Sequence, residues 1–570
     1  MLPNDPISRV LYIDLTKKTW HVEDRRDLID AWIGGTGLAT QLLLEECPAG
    51  IDPFDPRNPI ILAVGPLVGN FPLASKTVAM FKSPHTGNLG ESHAGGRSAV
   101  AIRMAGYGAI VIRGASEVPL WVSVNGEEVR LHDATTLWGL KNTVAGRVLR
   151  ENEAGAGLRT IMRIGPAGEQ LIPYAGVMCE TYRHFGRTGL GAVFGSKKLK
   201  ALVVAGRRSL PVASRRAYRE LYDEIHHQAV TSKVMKKYHD LGTAANILSL
   251  NSIGALPTRN LQAASIANGE RISGEAFAEG YLGRRLACAH CPVGCIHIAA
   301  LREPYETEPY FMRTRMVAYD YEPIYALGSM LGIDDPGNLL RLLDRVDDLG
   351  FDCMSAGVVL AWATEALEKG LIPVDQTDGV SLRWGDYAGY VAAVDRLVSQ
   401  PTPFYQALSR GVDYAASVYG GREFALAFGH NEIAGYHTGP AGHLGLLLGS
   451  RHSHLDNAGY SVDQKEMLKQ KLSPESLVDL LIKEESDRQI LTSLVLCLFA
   501  RNLYDNNTIL RALEQVGMPM SAEKMSEIGH AIWQAKYAFK LREGFDLQAQ
   551  KVPLRIYETR SALGAIEPSY

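Results

Sequence analysis

The chain of 570 residues is too long for one core, since single hydrophobic cores stop growing at about 250 to 300 residues, and two to four domains are expected. Its 59 basic and 62 acidic side chains leave a formal charge of −3 and a pI near 6.6, which excludes the electrostatic footprint of a nucleic-acid or anionic-membrane binder. No apolar run reaches the roughly 18 residues of a membrane span, the opening "MLPNDPISRVLYIDL" has no basic start with an apolar core, and the seven cysteines do not read as a disulfide framework; a cytoplasmic enzyme with reduced thiols is expected.

From residue 8 to about 207 strand signals dominate. "RVLYIDL" and "TWHVED" flank the turn Thr16-Lys17-Lys18, while "PLWVSV" and "EEVRLHD" flank Asn125-Gly126, the strongest short hairpin signal between alternating apolar runs. Further strands are predicted at "PIILAVG", "GAIVIRG", "RTIMRIG" and "KALVVAG", with helices near residues 27–46 and 137–151. Glycines gather in "IGGTGLAT", "NLGESHAGGRS" and "FGRTGLGAVFG", where a backbone without Cβ can approach a ligand closely. After Pro211 the pattern turns helical, starting with Ser214 as the N-cap of "SRRAYRELYDEIHHQAV". "NLLRLLDRVDDLG", "SAGVVLAWATEALEKG" and "AEKMSEIGHAIWQAKYAFKLREG" repeat apolar residues three and four apart and stop at glycine. The expected class is α+β: an N-terminal β-rich domain over 1–208, then two mainly α-helical domains over 209–403 and 404–570, divided near "QPTPF".

The stretch "ACAHCPVGCIHIA" carries Cys288, Cys291 and Cys295 as C-x2-C-x3-C. Thiolates are soft ligands, and this spacing brings three of them within reach of one iron–sulfur cluster or of a structural zinc, the latter recruiting His290 or His297. A [4Fe–4S] cube needs a fourth ligand from a distance; Cys353 and Cys497 are candidates, and the plain reading of each is a buried small hydrophobe.

In order and spacing from about residue 8 to about 545, "RVLYIDLT", "GGTGLA", "AVGPLVG", "SPHTG", "MAGYGAIVIRG", "GRTGLGAVFGSKKLKAL", "CAHCPVGC", "YALGSMLGI" and "DLGFD" resemble the aldehyde ferredoxin oxidoreductase family. The resemblance implies tungsten, or molybdenum, held by two molybdopterins beside one [4Fe–4S] cluster, with the protein giving the metal no direct ligand. It assigns the cluster to Cys288, Cys291, Cys295 and Cys497, and leaves Cys353 beside a pterin. It assigns pterin and phosphate binding to Lys76, His93, Gly95, Gly96, Arg183, His184, Gly186 and Arg187 in the first domain, and to Asp347, Gly350, Asp352 and Leu496 beyond it. The carbonyls of residues 93 and 184 resemble those beside a bridging magnesium. Acid and base work falls to Glu322, in "YDYEPIYALG", and to His454, with His452 in reserve.

The activity so implied interconverts an aldehyde and a carboxylic acid, a small-molecule substrate, and passes electrons singly through the cube to ferredoxin or a ferredoxin-like subunit. Neither nucleic acid nor a membrane span is expected, and a homo-oligomer is left open. Several positions depart from the family. Lys76 stands for a usual arginine and lacks its planar fork. His93 replaces a frequent asparagine, with Glu91 adding a charge that could repel phosphates or help hold a cation. The family's "YDPR" becomes Tyr436-His437-Thr438-Gly439, "RGxCH" becomes Arg451-His452-Ser453-His454, and the carboxylate opening "DxxGLC" becomes Thr492. These departures keep two alternatives in view: the same cofactors serving a low-potential reduction of a thioester or aromatic substrate, and a cluster-only structural or electron-transfer subunit without tungsten.

Overall fold

The computed structural model describes residues 1–153, 158–180, 182–305, 307–500 and 503–569. The chain forms two compact units that interleave along the sequence. The first comprises Met1–Lys236, Ala287–Val293 and Lys483–Asp546; the second comprises Lys237–Leu286, Gly294–Ile482 and Leu547–Tyr570.

The first unit is built on two six-stranded sheets. Strands β1 (Arg9–Asp14), β2 (Thr19–Asp24), β3 (Ile60–Ala63), β4 (Thr77–Lys82), β5 (Leu89–Ala94) and β6 (Ala109–Arg113) form one, in the order β2-β1-β6-β3-β4-β5. Strands β7 (Leu120–Asn125), β8 (Glu128–Asp133), β9 (Leu158–Arg163), β10 (Val177–Cys179), β11 (Arg183–Phe185) and β12 (Leu199–Gly206) form the other, in the order β11-β10-β9-β12-β7-β8. Both predicted hairpins are present, with Asp14 opposite Thr19 and Asn125 opposite Glu128; Gly126 supplies the positive φ of +62° at the second turn. Strands β4 and β5 were not predicted; in β5, "LGESHA" carries polar residues that read as loop until its partners bury them. The single helix predicted over 27–46 is two, Arg26–Trp32 and Gly35–Glu46, broken where Ile33 takes φ +70° and Gly34 φ +156°. Ser214 caps Arg215–Thr231 by accepting from the Ala217 amide, as its position before the apolar repeat predicts.

The second unit is mainly helical, and its longer helices begin and end where capping chemistry dictates. Asp335 caps Pro336–Leu349, which closes on Gly350 in the left-handed region (φ +89°), and Asp352 caps Cys353–Glu368 through the Met354 amide. The unit also holds an unpredicted antiparallel sheet, β13 (Leu282–Leu286), β14 (Ile296–Pro304) and β15 (Met312–Tyr319), in that order. Arginines interrupt the apolar alternation of "LGRRL" and "MRTRMVAY", which hides both strands from a periodicity reading. The cysteine motif is the connection from β13 to β14.

Candidate functional site

In the first unit, segments distant in sequence meet on residues 73–76. The Leu73 amide donates to the His290 carbonyl at 3.1 Å, and the Leu73 carbonyl accepts from the Cys497 amide at 3.0 Å. Ala74 bridges to Leu496, and the Lys76 amide donates to the Val495 carbonyl at 3.4 Å. Leu73, His290 and Val495 take left-handed backbone conformations, with φ of +67°, +59° and +51°, each costing roughly 1 kcal/mol or more and held by this ladder. Cys288 is fixed from the other side: the Gly96 amide donates to its Sγ at 3.1 Å, and a Cβ on Gly95 would lie 2.9 Å from that sulfur. The fold therefore brings Cys288, Cys291, Cys497, Gly95, Gly96 and Leu496 into one neighbourhood, while Cys295 belongs to the second unit at the foot of β14.

Both ring nitrogens of His297 are engaged by backbone carbonyls, of Cys295 at 3.1 Å and of His239 at 3.1 Å. Among the described residues no group of three or more His, Cys, Asp or Glu side chains is placed to hold one metal ion. A cube takes one thiolate on each of four irons, so its ligands need not converge on a point.

Glu91 is not the loose charge that the sequence suggested. Its Oε1 lies 2.6 Å from His93 Nε2 and its Oε2 lies 2.6 Å from Lys536 Nζ, with all three side chains buried. Sequence reasoning missed Lys536, although the signal was there: Ile528, Ile532, Lys536 and Lys540 follow one another at four-residue spacing along one buried helix stripe. Arg183 and His184 lie on β11, with Gly186 and Arg187 just after it. Burial first, then the Arg183 and Arg163 charges, push the His184 imidazole down to about 3, so it stands neutral. A Cβ on Gly186 would meet open space, whereas one on Gly35 would fall 2.5 Å from the Ser493 carbonyl. Gly35 of "IGGTGLAT" thus serves the approach of residues 492–493, while a Cβ on Gly34 or Gly37 would meet Pro66 or the Trp32 carbonyl. Thr492 turns its hydroxyl back onto the Arg488 carbonyl at 3.0 Å.

In the second unit Glu322 sits in the first turn of Tyr321–Leu327. Its Oε1 is shared by His454 Nε2 at 3.3 Å and by the Tyr436 hydroxyl, which donates at 3.2 Å. Tyr436 in turn stacks on Tyr460 at 4.4 Å between centroids and touches the His454 ring. Burial raises the Glu322 carboxyl, but the His454 contact, the His454 charge and the Tyr436 hydroxyl outweigh it and hold the group below its usual range. His452 turns away, its Nδ1 on the Leu446 carbonyl at 3.0 Å.

Nearby in that unit, half-buried Asp347 is pushed well above the ordinary carboxylate range by burial first and then by Asp344, Asp320 and Asp348. Asp352 accepts from the Ser355 hydroxyl at 2.7 Å, and burial followed by the Asp352, Asp347, Asp320 and Glu322 charges pushes the Cys353 thiol up. His437 and His443, which sequence reasoning did not single out as a pair, are 2.8 Å apart; His437 donates from Nε2 to the Thr559 carbonyl at 2.9 Å. Burial lowers His437 to about 4, so it is neutral and its Nδ1 accepts from His443 Nε2.

Residues 10–206 match the aldehyde ferredoxin oxidoreductase N-terminal domain, and residues 220–567 match domains 2 and 3 of the same family. The chain belongs to the aldehyde ferredoxin oxidoreductase family. It is 32% identical over 556 residues to a tungsten-containing aldehyde ferredoxin oxidoreductase of Pyrococcus furiosus, covering 94% of this chain and 89% of the relative. The relative of the same description from Thermococcus kodakarensis is also 32% identical, over 96% of this chain and 91% of its own. An aliphatic sulfonate oxidoreductase WOR-like subunit of Pyrococcus furiosus is 29% identical over 69% of this chain and 64% of its own. The fold is shared, at a TM-score of 0.83 and 21% identity, with a chain of the solved active site complex BamBC of benzoyl coenzyme A reductase with 1,5-dienoyl-CoA, over 98% of this chain and 92% of that one.

Membership implies a tungsten–pterin cofactor, and the residues present fit one. In the first unit, Arg183 and Arg187 beside the open space at Gly186 are donors suited to anionic groups, and Lys76 makes no side-chain hydrogen bond or ion pair among the described residues. In the second, the raised carboxyl of Asp347 and the carboxylate of Asp352 suit a ring edge bearing N–H donors. No helix among the described residues is long and apolar enough to cross a membrane.

Proposed function

We propose that the enzyme interconverts an aldehyde and its carboxylic acid, with electrons leaving singly through a [4Fe–4S] cluster on Cys288, Cys291, Cys295 and Cys497 to a ferredoxin-like acceptor. The observation that carries the reading is the shared Glu322 Oε1, contacted by His454 and Tyr436 at 3.3 and 3.2 Å. Lys76, Arg183, Arg187 and the backbone at His93, Gly95, Gly96, His184 and Gly186 would hold the phosphates and rings of two molybdopterins from the first unit, with any bridging magnesium on the carbonyls of residues 93 and 184. Asp347, Gly350 and Asp352 would do so from the second, and Leu496 beside the last cysteine.

When bound, the tungsten–dithiolene centre supplies the two-electron oxidant. The chain manages the protons. With Oε1 occupied, Glu322 keeps Oε2 to accept a hydroxyl proton from an aldehyde hydrate, and its lowered pKa keeps it ionised for that task. His454 Nε2 stays on Oε1, and Tyr436, fixed between Tyr460 and His454, holds the carboxylate in line. Turnover of a panel of aldehydes with a viologen dye tests the reading: Glu322→Gln should lower kcat by about 100-fold to 10,000-fold with tungsten and iron content unchanged. Full loading with no aldehyde turnover would count against it.

A second reading keeps the cofactors and changes the substrate, to one reduced at low potential, such as a thioester or an aromatic ring. It is favoured by His437, which stands where the family has "YDPR" and pairs with His443, and by the similarity of this chain to an aliphatic sulfonate oxidoreductase WOR-like subunit, whose substrate is not an aldehyde. A loaded enzyme inert to all aldehydes yet oxidising reduced viologen in the presence of a thioester would establish it.

A further inference from the structure

Both partners of Glu322 Oε1 are reached from one short stretch of the second unit. Helix His454–Asn457 carries His454, Ala458 turns left-handed at φ +51°, and the chain runs on as Gly459–Val462 and then Asp463–Met467. The last piece is a π-helical turn, a rare form found frequently at functional sites. It aims Asp463 at the segment that follows Tyr436. The wholly buried carboxylate accepts from the Ala441 amide at 3.0 Å through Oδ1, and from the Thr438 hydroxyl at 2.7 Å and the Gly442 amide at 2.8 Å through Oδ2. Burial raises the carboxyl to about 6 against these three donors, so at neutral pH it stands ionised and its bonds are charge-assisted. Glycines allow the approach: a Cβ on Gly439 would lie 2.7 Å from Asp463 Oδ1, and one on Gly459 would fall on the Ala441 carbonyl.

Tyr460, three residues before Asp463, stacks on the Tyr436 ring at 4.4 Å. The run therefore grips segment 436–442 at both ends, by a ring at Tyr436 and by a carboxylate at residues 438, 441 and 442. The two grips differ in kind. Ring pairs are favourable over centroid separations of roughly 4.5–7 Å, so a stack tolerates a slide that directed hydrogen bonds do not. On the other side of Tyr436, the Tyr321 hydroxyl holds the Gly435 carbonyl and the His437 amide donates to the Ala255 carbonyl at 2.9 Å. Asp463 supplies the matching anchor after it. We infer that Asp463 is a positioning residue of the reaction: by fixing residues 438–442 it sets where the Tyr436 hydroxyl meets Glu322 Oε1, and so keeps Oε2 for the substrate. This rests on the proposed role of Glu322.

The test is a double-mutant cycle on the loaded holoenzyme, with aldehyde as substrate and a viologen as acceptor, joined to a crystal structure of the variant. Whichever oxygen becomes the amide nitrogen in Asp463→Asn, it meets a backbone N–H, so the change sets donor against donor at unchanged size. Asp463→Asn should lower kcat by about tenfold or more, with KM within about twofold of wild type and tungsten and iron content unchanged. In a Tyr436→Phe background the same change should lower kcat no further, because the hydroxyl it places is already gone. The crystal structure of Asp463→Asn should show the Tyr436 hydroxyl beyond about 3.5 Å from Glu322 Oε1. If Asp463→Asn does not fold, Thr438→Val, which removes one donor and leaves both amides, takes its place in the cycle with a smaller effect in the same direction. An equal loss of kcat in both backgrounds, or a Tyr436 hydroxyl still on Oε1 in the variant, would overturn the assignment and leave Asp463 a structural residue. A wild type that turns over no aldehyde, with Tyr436 displaced in the variant structure, would strike the proposed function and support the placement, so the two failures are distinguishable.

Discussion

Glu322 and His454 show how a side-chain pair sets its own acidity. Burial alone raises Glu322, and the His454 contact reverses the direction. With His454→Asn burial has less to oppose it, so the acid limb of the kcat profile should move to higher pH while tungsten content stays constant; an unmoved limb would detach Glu322 from the reaction. Because the folded pKa of Glu322 is lowered, its share of stability is present above the unfolded carboxylate range and is lost as pH falls through the folded value. Both residues were named from the sequence on a family pattern, as were the cysteines, because short motifs fix residue type and spacing; the structure puts Glu322 and His454 in contact, and their roles belong to the proposed function. The partners that give them their acidity were not. Tyr436 lies 114 positions from Glu322, and nothing local in "AGYHTG" announces that its hydroxyl ends on a carboxylate.

At the scale of elements, glycines and buried ion pairs set how closely segments approach. Gly35 opens its helix at φ +41°, with its missing Cβ 2.5 Å from the Ser493 carbonyl. Gly35→Ala should displace residues 492–497 and with them Cys497, which is read as a fall in iron per chain with the secondary structure retained. The Glu91–Lys536 contact ties β5 to helix Ala522–Arg542 in full burial. Lys536→Met takes the ammonium from buried Glu91 Oε2 and leaves His93 on Oε1, so it should cost about 3–5 kcal/mol and lower the midpoint of thermal unfolding, and Glu91→Gln added to it should restore much of the loss. Helix boundaries were legible wherever a capping residue and a terminal glycine bracket an apolar repeat, as at Ser214, Asp335 and Gly350. The strands β5, β13 and β15 were not, since their polar residues are buried or paired only by neighbours distant in sequence.

Across the second unit the C-terminal segment works as a strap. Arg555 pairs with buried Glu365 at 2.6 Å, Thr559 bonds to Leu261 through its hydroxyl and to His437 through its carbonyl, and the Ala562 amide donates to the His437 carbonyl. His437, lowered to about 4 by burial, binds its proton more weakly folded than unfolded, so stability from the neutral ring is complete above about 6.5 and is lost as pH falls toward 4, in all roughly 3 kcal/mol. The thermal midpoint should fall over that window, and His437→Asn should flatten the fall. Elemental analysis of anaerobically purified protein offers the broadest check: about one tungsten or molybdenum and about four irons per chain are expected, and irons without either metal would support the cluster-only alternative.

Composition and short-range pattern determined the α+β class, the capped helices, the C-x2-C-x3-C motif and the family, because each depends on residues within a turn or two of one another or on an ordered series of such motifs. Only the tertiary structure decided that Leu73 joins the His290 and Cys497 backbones, that Glu91 is neutralised by Lys536, and that Tyr436 and His454 share one oxygen of Glu322. Those are encounters between segments separated by tens to hundreds of residues. Their energies come from desolvation and from charges brought within hydrogen-bonding distance, which exist only once the chain has folded.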